Sequence, residues 1–254
     1  MSLAGKTALI TGAAGGIGSA VAVELAKHGV NLGLADIHDL TRIKQTVTAY
    51  GARVGAYQVD LTSLPSILQW VEASEQDFGN FDILVTAAGV VGYGGAGSIT
   101  EAEWDRIINI NMKGAFFCCQ AVFPHMKKNR SGRIINIGSV LAKNGGNPRP
   151  WIQPAEQDKA SSIVYGMSKA GVHAMTLYLA KELASFGITV NAVAPGPVAS
   201  DMTREFPESL KQLIPMQRMG TADEVATAVR FLAEDSTGFI TGEILDVNGG
   251  LWTD

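Results

Sequence analysis

Cysteine is nearly absent from this chain: among 254 residues there are two, Cys118 and Cys119, and they are sequence neighbours. Adjacent cysteines do not staple a fold, so both are read as small buried hydrophobes, with no redox or metal role. An excess of charge of one sign is missing as well. The count of 20 Lys and Arg against 24 Asp and Glu leaves a net charge of −4, which offers no electrostatic footprint to nucleic acid. No uninterrupted apolar run reaches the ~18 residues of a membrane-spanning helix. The opening MSLAGKTALITG lacks the basic start, long apolar core and cleavage site of a signal peptide. A cytoplasmic protein is expected, with neither membrane nor nucleic acid as partner. His28, His38, His125 and His173 show no metal-ligand spacing, so solvated or helix-capping roles are expected for them and no metal site.

What is present is glycine, at 29 positions, within a chain that is 46% hydrophobic and 17% charged. That mixture suits buried strands joined by tight turns. Strand-like runs alternate with helix-like ones from the start: KTALITG, GIGSAVAVELAKHG, VNLGLAD, a polar helix ending near Tyr50-Gly51, then RVGAYQVDL. A helix over 64–78 precedes FDILVTAAG, a long helix covers about 101–125, and GRIINIGS forms a fifth strand. After an irregular stretch come the helix carrying YGMSKAGVHAMTLYLAKELA, the strand ITVNAVAPG, a helix at about 222–233 and the strand GEILDVNGG. Strands with few polar positions, alternating with helices, predict an α/β fold: one doubly wound parallel sheet of about seven strands, helices on both faces. No linker or fixed-period repeat divides the chain, so a single domain over 1–254 is expected.

Gly12, Gly16 and Gly18 punctuate the turn between the first strand and first helix, in TGAAGGIG. Backbone N–H groups and the helix dipole there can meet a pyrophosphate, and residues without Cβ let the phosphates approach. Gly12, Gly16, Ile17 and Gly18 are the expected contacts; a merely tight turn is the plain alternative. Asp36 ends the second strand 18 residues beyond Gly18, where a carboxylate can accept hydrogen bonds from the adenosine ribose. Asp36 and its neighbour Ile37 are therefore placed at the adenosine end. The stretch Ala35-Asp36-Ile37-His38-Asp39 holds no Lys or Arg to offset the extra phosphate of NADP, so NAD is the expected cofactor. As the alternative, Asp36 caps the next helix.

Tyr165 and Lys169 stand four residues apart on one helical face. A phenol titrates near ~10, and a cation about 4 Å away at an effective dielectric near 20 contributes about 4 kcal/mol toward the phenolate. That spacing alone is common on helices. Ser139, ending the fifth strand in NIGS, adds a hydroxyl at the sheet edge where doubly wound folds bind ligands.

With these pieces the sequence resembles the short-chain dehydrogenase/reductase family over nearly its whole length. The matching residues are TGAAGGIG, Asp60-Leu61, Ala87-Ala88-Gly89, Asn111 in NINMKG, Ser139, YGMSK, APGPV at 194–198 and DVNGG at 246–250. The resemblance implies that Ser139 holds the substrate oxygen and Tyr165 transfers the proton. It implies that Lys169 binds the nicotinamide ribose and lowers the tyrosine pKa, while Asn111 supports a water relay. It places Asp60 and Leu61 at the adenine, Ala87, Ala88 and Gly89 beside the ribose, and Pro195, Gly196, Val198 and Ser200 near the nicotinamide amide. The implied activity is hydride transfer between NAD(H) and a small-molecule alcohol or carbonyl: a secondary alcohol, polyol or sugar. The alternatives are a 3-oxoacyl-carrier-protein reductase, which commonly prefers NADPH and needs a basic docking patch, and a regulator that binds NAD without catalysis. A homotetramer or homodimer is implied, packed across the helices near 101–125 and 165–186 and at Leu251-Trp252.

Three features depart from the family pattern. Thr86 replaces its first Asn before Ala87, with a mild structural effect expected, and Ser200 replaces a common Thr. The third is the separation of Ser139 from Tyr165 by 26 positions, about double the usual length. The excess, with Pro148, Pro150, Trp151 and Pro154, is read either as a wall of the substrate pocket or as a surface insertion or subunit contact. Met202, Met216 and Met219 are read as mobile substrate contacts or as ordinary packing.

Overall fold

Strands that are apolar on both faces need covering on both faces, and the sheet is built that way. A computed structural model describes residues 3–146, 162–200 and 211–253; the 147–161 stretch with its three prolines and Trp151, and also Met202, lie outside the described residues. The strands are β1 (Thr7–Thr11), β2 (Asn31–Asp36), β3 (Val54–Gln58), β4 (Ile83–Thr86), β5 (Gly132–Ile137), β6 (Ile188–Pro195) and β7 (Ile244–Val247). They form one parallel sheet in the order β3-β2-β1-β4-β5-β6-β7. Every residue of β1, β4, β5 and β6 is buried, whereas β7 at one edge is half-buried throughout.

The helices are α1 (Gly16–Lys27), α2 (Thr41–Thr48), α3 (Leu64–Phe78), α4 (Glu101–Ile108), α5 (Ala115–Asn129), α6 (Leu141–Asn144), α7 (Ile163–Leu183) and α8 (Ala222–Ala233). One core packs Val21, Leu25, Val225 and Val229 of α1 and α8 against Ala8, Ile10, Leu32 and Leu34. The other packs Ile67, Val71, Val122, Leu179 and Leu183 of α3, α5 and α7 against Leu9, Leu84, Ile134 and Val190. Consecutive residues of one strand thus face opposite cores, as the two-residue period of a strand requires. Cys118 and Cys119 are fully buried, and burial raises both thiols well above their ordinary range, the latter to about 12. They are packing residues, as expected.

The long helix expected over 101–125 is two α-helices joined by a π-helical turn, Asn109–Gly114. A π turn inserts a residue into the hydrogen-bond ladder and rotates the side chains that follow; here it carries Asn111. Periodicity smooths over a single inserted residue, which is why the sequence reads as one helix. Among the described residues no helix is long and apolar enough to cross a membrane.

Candidate active site

The order of strands reverses between β1 and β4, and the carboxyl edge at such a reversal is where doubly wound sheets bind their ligands. Gly12 sits at this edge with φ +68°, and a Cβ there would lie 2.6 Å from the backbone N and Cα of Ala88. The Ala88 N–H donates to Thr11 Oγ1 at 3.3 Å, which fixes the two loops together. Gly18 is forced too, since its Cβ would lie 2.1 Å from the Gly12 carbonyl oxygen. Gly16 is different: a Cβ would meet only Ser200 Cβ, at 3.6 Å. Its Cβ would project toward the gap between the glycine turn and Ser200. Helix α1 begins at this turn without a side-chain cap, whereas Ser63, Thr100 and Thr221 cap α3, α4 and α8. Its first N–H groups remain for a phosphate.

A contrast tests this division of labour. Gly12→Ala is expected to lower stability by about 2 kcal/mol or more, through positive φ and backbone overlap. Gly16→Ala is expected to keep the melting temperature while weakening NADH binding about tenfold or more. Thermal melts and fluorescence titrations of both variants check it, and equal melting temperatures would contradict the geometry.

Asp36 stands at the end of β2, half-buried, with Oδ2 accepting from Ala14 N–H at 3.0 Å and Oδ1 from His38 N–H at 3.0 Å. It ties the glycine loop to the turn after β2, and this local role coexists with lone pairs left for a ribose. Ile37 beside it is 53% exposed. Asp60 is exposed and bonded to its own turn, Oδ1 accepting from Thr62 N–H and Oγ1 at 2.9 and 2.8 Å. Leu61 packs over Gly114, whose Cβ would lie 2.9 Å from Leu61 Cβ. Asp36 and Asp60 thus follow the neighbouring strands β2 and β3, away from the catalytic cluster.

That cluster lies along the same edge of the sheet. Lys169 is 3% exposed, donates to the Ile137 carbonyl at 2.7 Å, and has its Nζ 5.9 Å from the centre of the Tyr165 ring. A Cβ on Gly89 would lie 3.4 Å from Lys169 Nζ and 3.5 Å from Asn111 Oδ1, so Gly89, Lys169 and Asn111 meet at one point. The Asn111 amide is committed: Oδ1 accepts from Val90 N–H at 2.8 Å, and Nδ2 donates to Val90 O and Ser168 Oγ at 2.9 and 3.0 Å. Its side chain braces the loop after β4 against α7.

Ser139 Oγ accepts from Leu141 N–H at 3.1 Å, which leaves the hydroxyl proton for another oxygen, and the hydroxyl lies near enough to Tyr165 to favour its phenolate. Burial raises the Tyr165 pKa, the Ser139 bond lowers it, and the Tyr93 phenol raises it, with an upward balance. The lowering expected from Lys169 is not among these influences. Its ammonium turns to the Ile137 carbonyl, and burial pushes its own pKa down to about 8. Shared helical face, read from spacing, did not settle where the charged end points.

At the carboxyl end of β6, Pro195 lies opposite Val247, and Val140 N–H donates to its carbonyl at 2.9 Å. Gly196 has no room for a side chain, since a Cβ would lie 2.9 Å from Asn248 Cα. Val198 is buried and bridges to Gly220. The structure therefore gathers Gly89, Asn111, Ser139, Tyr165 and Lys169 in one place, with Gly16 facing Ser200 at another part of that edge. Thr86 is buried below, donating to Asn136 Oδ1 at 2.8 Å, while Asn136 Nδ2 donates to Thr176 Oγ1 at 2.9 Å. This internal link between β4, β5 and α7 is the role Thr86 plays.

Two neighbours escaped the sequence reading. Tyr93, 59% exposed, lies on the loop after β4, which is held by Arg106 donating to Val91 O at 2.9 Å and by a bridge from Gly94 to Ser162. Its influence on Tyr165 puts it at the rim of the site. His173 is buried, contrary to the solvated or capping role expected for it. It lies four residues beyond Lys169, so the spacing that pairs Tyr165 with Lys169 selects it as well. Met216, by contrast, is 60% exposed, with its N–H donating to Gly249 O at 3.1 Å.

The comparisons with known proteins show the family. A family model described as enoyl-(acyl carrier protein) reductase matches residues 12–252. The (2S)-[(R)-hydroxy(phenyl)methyl]succinyl-CoA dehydrogenase subunit BbsD of Thauera aromatica is 39% identical, over 98% of this chain and 98% of its own. The 3-oxoacyl-[acyl-carrier-protein] reductase FabG of Thermotoga maritima is 37% identical over 99% of both. The crystal structure of gox2181 superposes with a TM-score of 0.91 at 32% identity, covering 98% of this chain and 96% of that one. The chain belongs to the short-chain dehydrogenase/reductase family and is an oxidoreductase of that family.

Proposed function

We propose that the protein interconverts the 3-oxo and 3-hydroxy forms of a thioester-linked acyl chain, with NAD(H) as hydride carrier. The observation that carries the redox reading is the meeting of Ser139, Tyr165 and Lys169 at the carboxyl edge of the sheet, with Lys169 Nζ 5.9 Å from the Tyr165 ring and the Ser139 hydroxyl near enough to lower the Tyr165 pKa. The relatives supply the substrate class. Their printed names share a hydroxyl or oxo group on the carbon β to an acyl carbonyl, on coenzyme A in one and on a carrier protein in the other. That favours the oxoacyl alternative over a polyol or sugar.

The bound nicotinamide supplies the hydride donor or acceptor. The chain supplies the rest. The Ser139 hydroxyl directs its proton to the substrate oxygen, Tyr165 Oη gives or takes the proton at that oxygen, and Lys169 holds positive charge behind the ring. The Gly12–Gly18 turn and the uncapped start of α1 hold the pyrophosphate, with Asp36 at the ribose. Copies of the chain are expected to pack through α5 and α7, whose Phe116, Leu177 and Tyr178 are exposed.

Assay of a 3-oxoacyl thioester beside free ketones and polyols, following NADH, tests the substrate class; turnover of polyols alone would overturn it. The cofactor preference has its own test. NADH should exceed NADPH in kcat/KM by about tenfold or more, because a phosphate beside the Asp36 carboxylate is repelled by about 1 to 4 kcal/mol. Asp36→Ser should raise NADPH turnover and reduce that of NADH. A parent enzyme that favours NADPH would reverse the assignment.

A further inference from the structure

We propose that His173 is a positioning residue for Ser139: its imidazole, seated over Gly138, accepts the Ser139 backbone N–H and so fixes the serine hydroxyl against Tyr165. The Ser139 amide donates to His173 Nε2 at 3.3 Å. A Cβ on Gly138 would lie 2.1 Å from that same nitrogen, so the ring fills the space that only glycine leaves. Gly138 N–H is itself bonded to Val193 O at 2.8 Å, which holds the segment in the sheet direction while His173 takes the next amide. Ser139 is thus gripped twice, by its amide from α7 and at its Oγ by Leu141 N–H.

The acceptor role requires a neutral ring with its proton on Nδ1, because a protonated Nε2 would set one N–H against another. Charged groups around the ring enforce that state. Lys143 comes from α6, its Nζ donating to Asp246 Oδ2 at 2.7 Å and to Ile244 O at 3.3 Å, and Lys169 comes from α7. Burial first, then these two ammonium groups, hold the His173 pKa down to about 4. The Lys143–Asp246 pair also fastens the turn after Ser139 to β7. The family's own set of serine, tyrosine and lysine does not call for this histidine.

The kinetic consequence rests on the proposed function, so the test has one arm that does not. In nitrogen-15 spectra of the whole protein, the imidazole resonance that disappears in His173→Gln is expected to be neutral, with its proton on Nδ1, down to about pH 5, below the ordinary His range. In Lys143→Gln its titration is expected to move upward by about half a unit or more, since a neighbouring cation has gone. A ring that is protonated at pH 6, or neutral with its proton on Nε2, overturns the proposal. In the second arm, His173→Leu is expected to lose kcat about tenfold with the Kd for NADH unchanged, while His173→Gln, which keeps an acceptor, recovers most of it. Equal kcat for two folded variants overturns the proposal. If His173→Leu does not fold, His173→Gln must retain most of the parent kcat, and a loss there overturns it. A parent protein inactive on 3-oxoacyl thioesters defeats the substrate reading alone, and the imidazole spectrum then decides the role of His173.

Discussion

Tyr165→Phe is expected to lower kcat about a thousandfold while leaving the Kd for NADH within a factor of about two. The phenol ring packs without its oxygen, so the change removes one group: the hydroxyl whose pKa Ser139 lowers. Nothing else described in the cluster can stand in for it. Lys169 Nζ is drawn to the Ile137 carbonyl, the Asn111 amide is committed to Val90 and Ser168, and the Ser139 hydroxyl is held by Leu141 N–H. The direction of the Tyr165 shift adds a second expectation. Raised above its ordinary value, the phenol is protonated at neutral pH, ready to give a proton in carbonyl reduction. Alcohol oxidation needs the phenolate, whose fraction grows about tenfold per pH unit below the pKa. Oxidation should therefore quicken from pH 7 to 9 while reduction does not. Stopped assays in both directions with parent and variant measure this, and near-parent turnover in Tyr165→Phe would remove Tyr165 from the mechanism.

The readable parts of this site are those whose chemistry is local in sequence. A glycine turn between strand and helix, an acid at the end of the next strand, and a hydroxyl at the end of β5 each follow from chain position. The doubly wound order places all three at one edge of the sheet. Burial of a charge is not local. The spacing of Tyr165 and Lys169 says that they share a face, yet the direction of the ammonium depends on a carbonyl of β5, more than thirty residues away. His173 shows the same limit. Its place on the 165–169–173 face was legible, but its burial depends on Gly138 leaving room. The π turn at Asn111 was hidden for a different reason: one extra residue in a helix barely disturbs an apolar period while it redirects the side chain that braces Val90.

Lys169→Met is expected to separate function from stability. Activity should fall about a hundredfold or more, because the cation 5.9 Å from the Tyr165 ring centre is lost, together with its proposed bond to the cofactor ribose. Folding should become stronger. The folded pKa of about 8 lies below the unfolded value of 10.5. Below pH 8 the amine is charged in both states, and burying that charge costs roughly 3 kcal/mol. Between pH 8 and 10.5 the unfolded chain binds a proton that the folded one does not, so the parent gains stability as pH rises through this window. Methionine fills similar space without charge and removes the cost, but it strands the Ile137 carbonyl, returning about 1 to 3 kcal/mol. The net expectation at pH 7 is a gain of roughly 1 kcal/mol, read as a higher urea midpoint. That advantage should shrink toward pH 10, where the parent sheds its proton on folding. A variant that is less stable than the parent at pH 7, or whose advantage grows with pH, would mean that the Lys169 ammonium is well solvated or well paired in the folded chain.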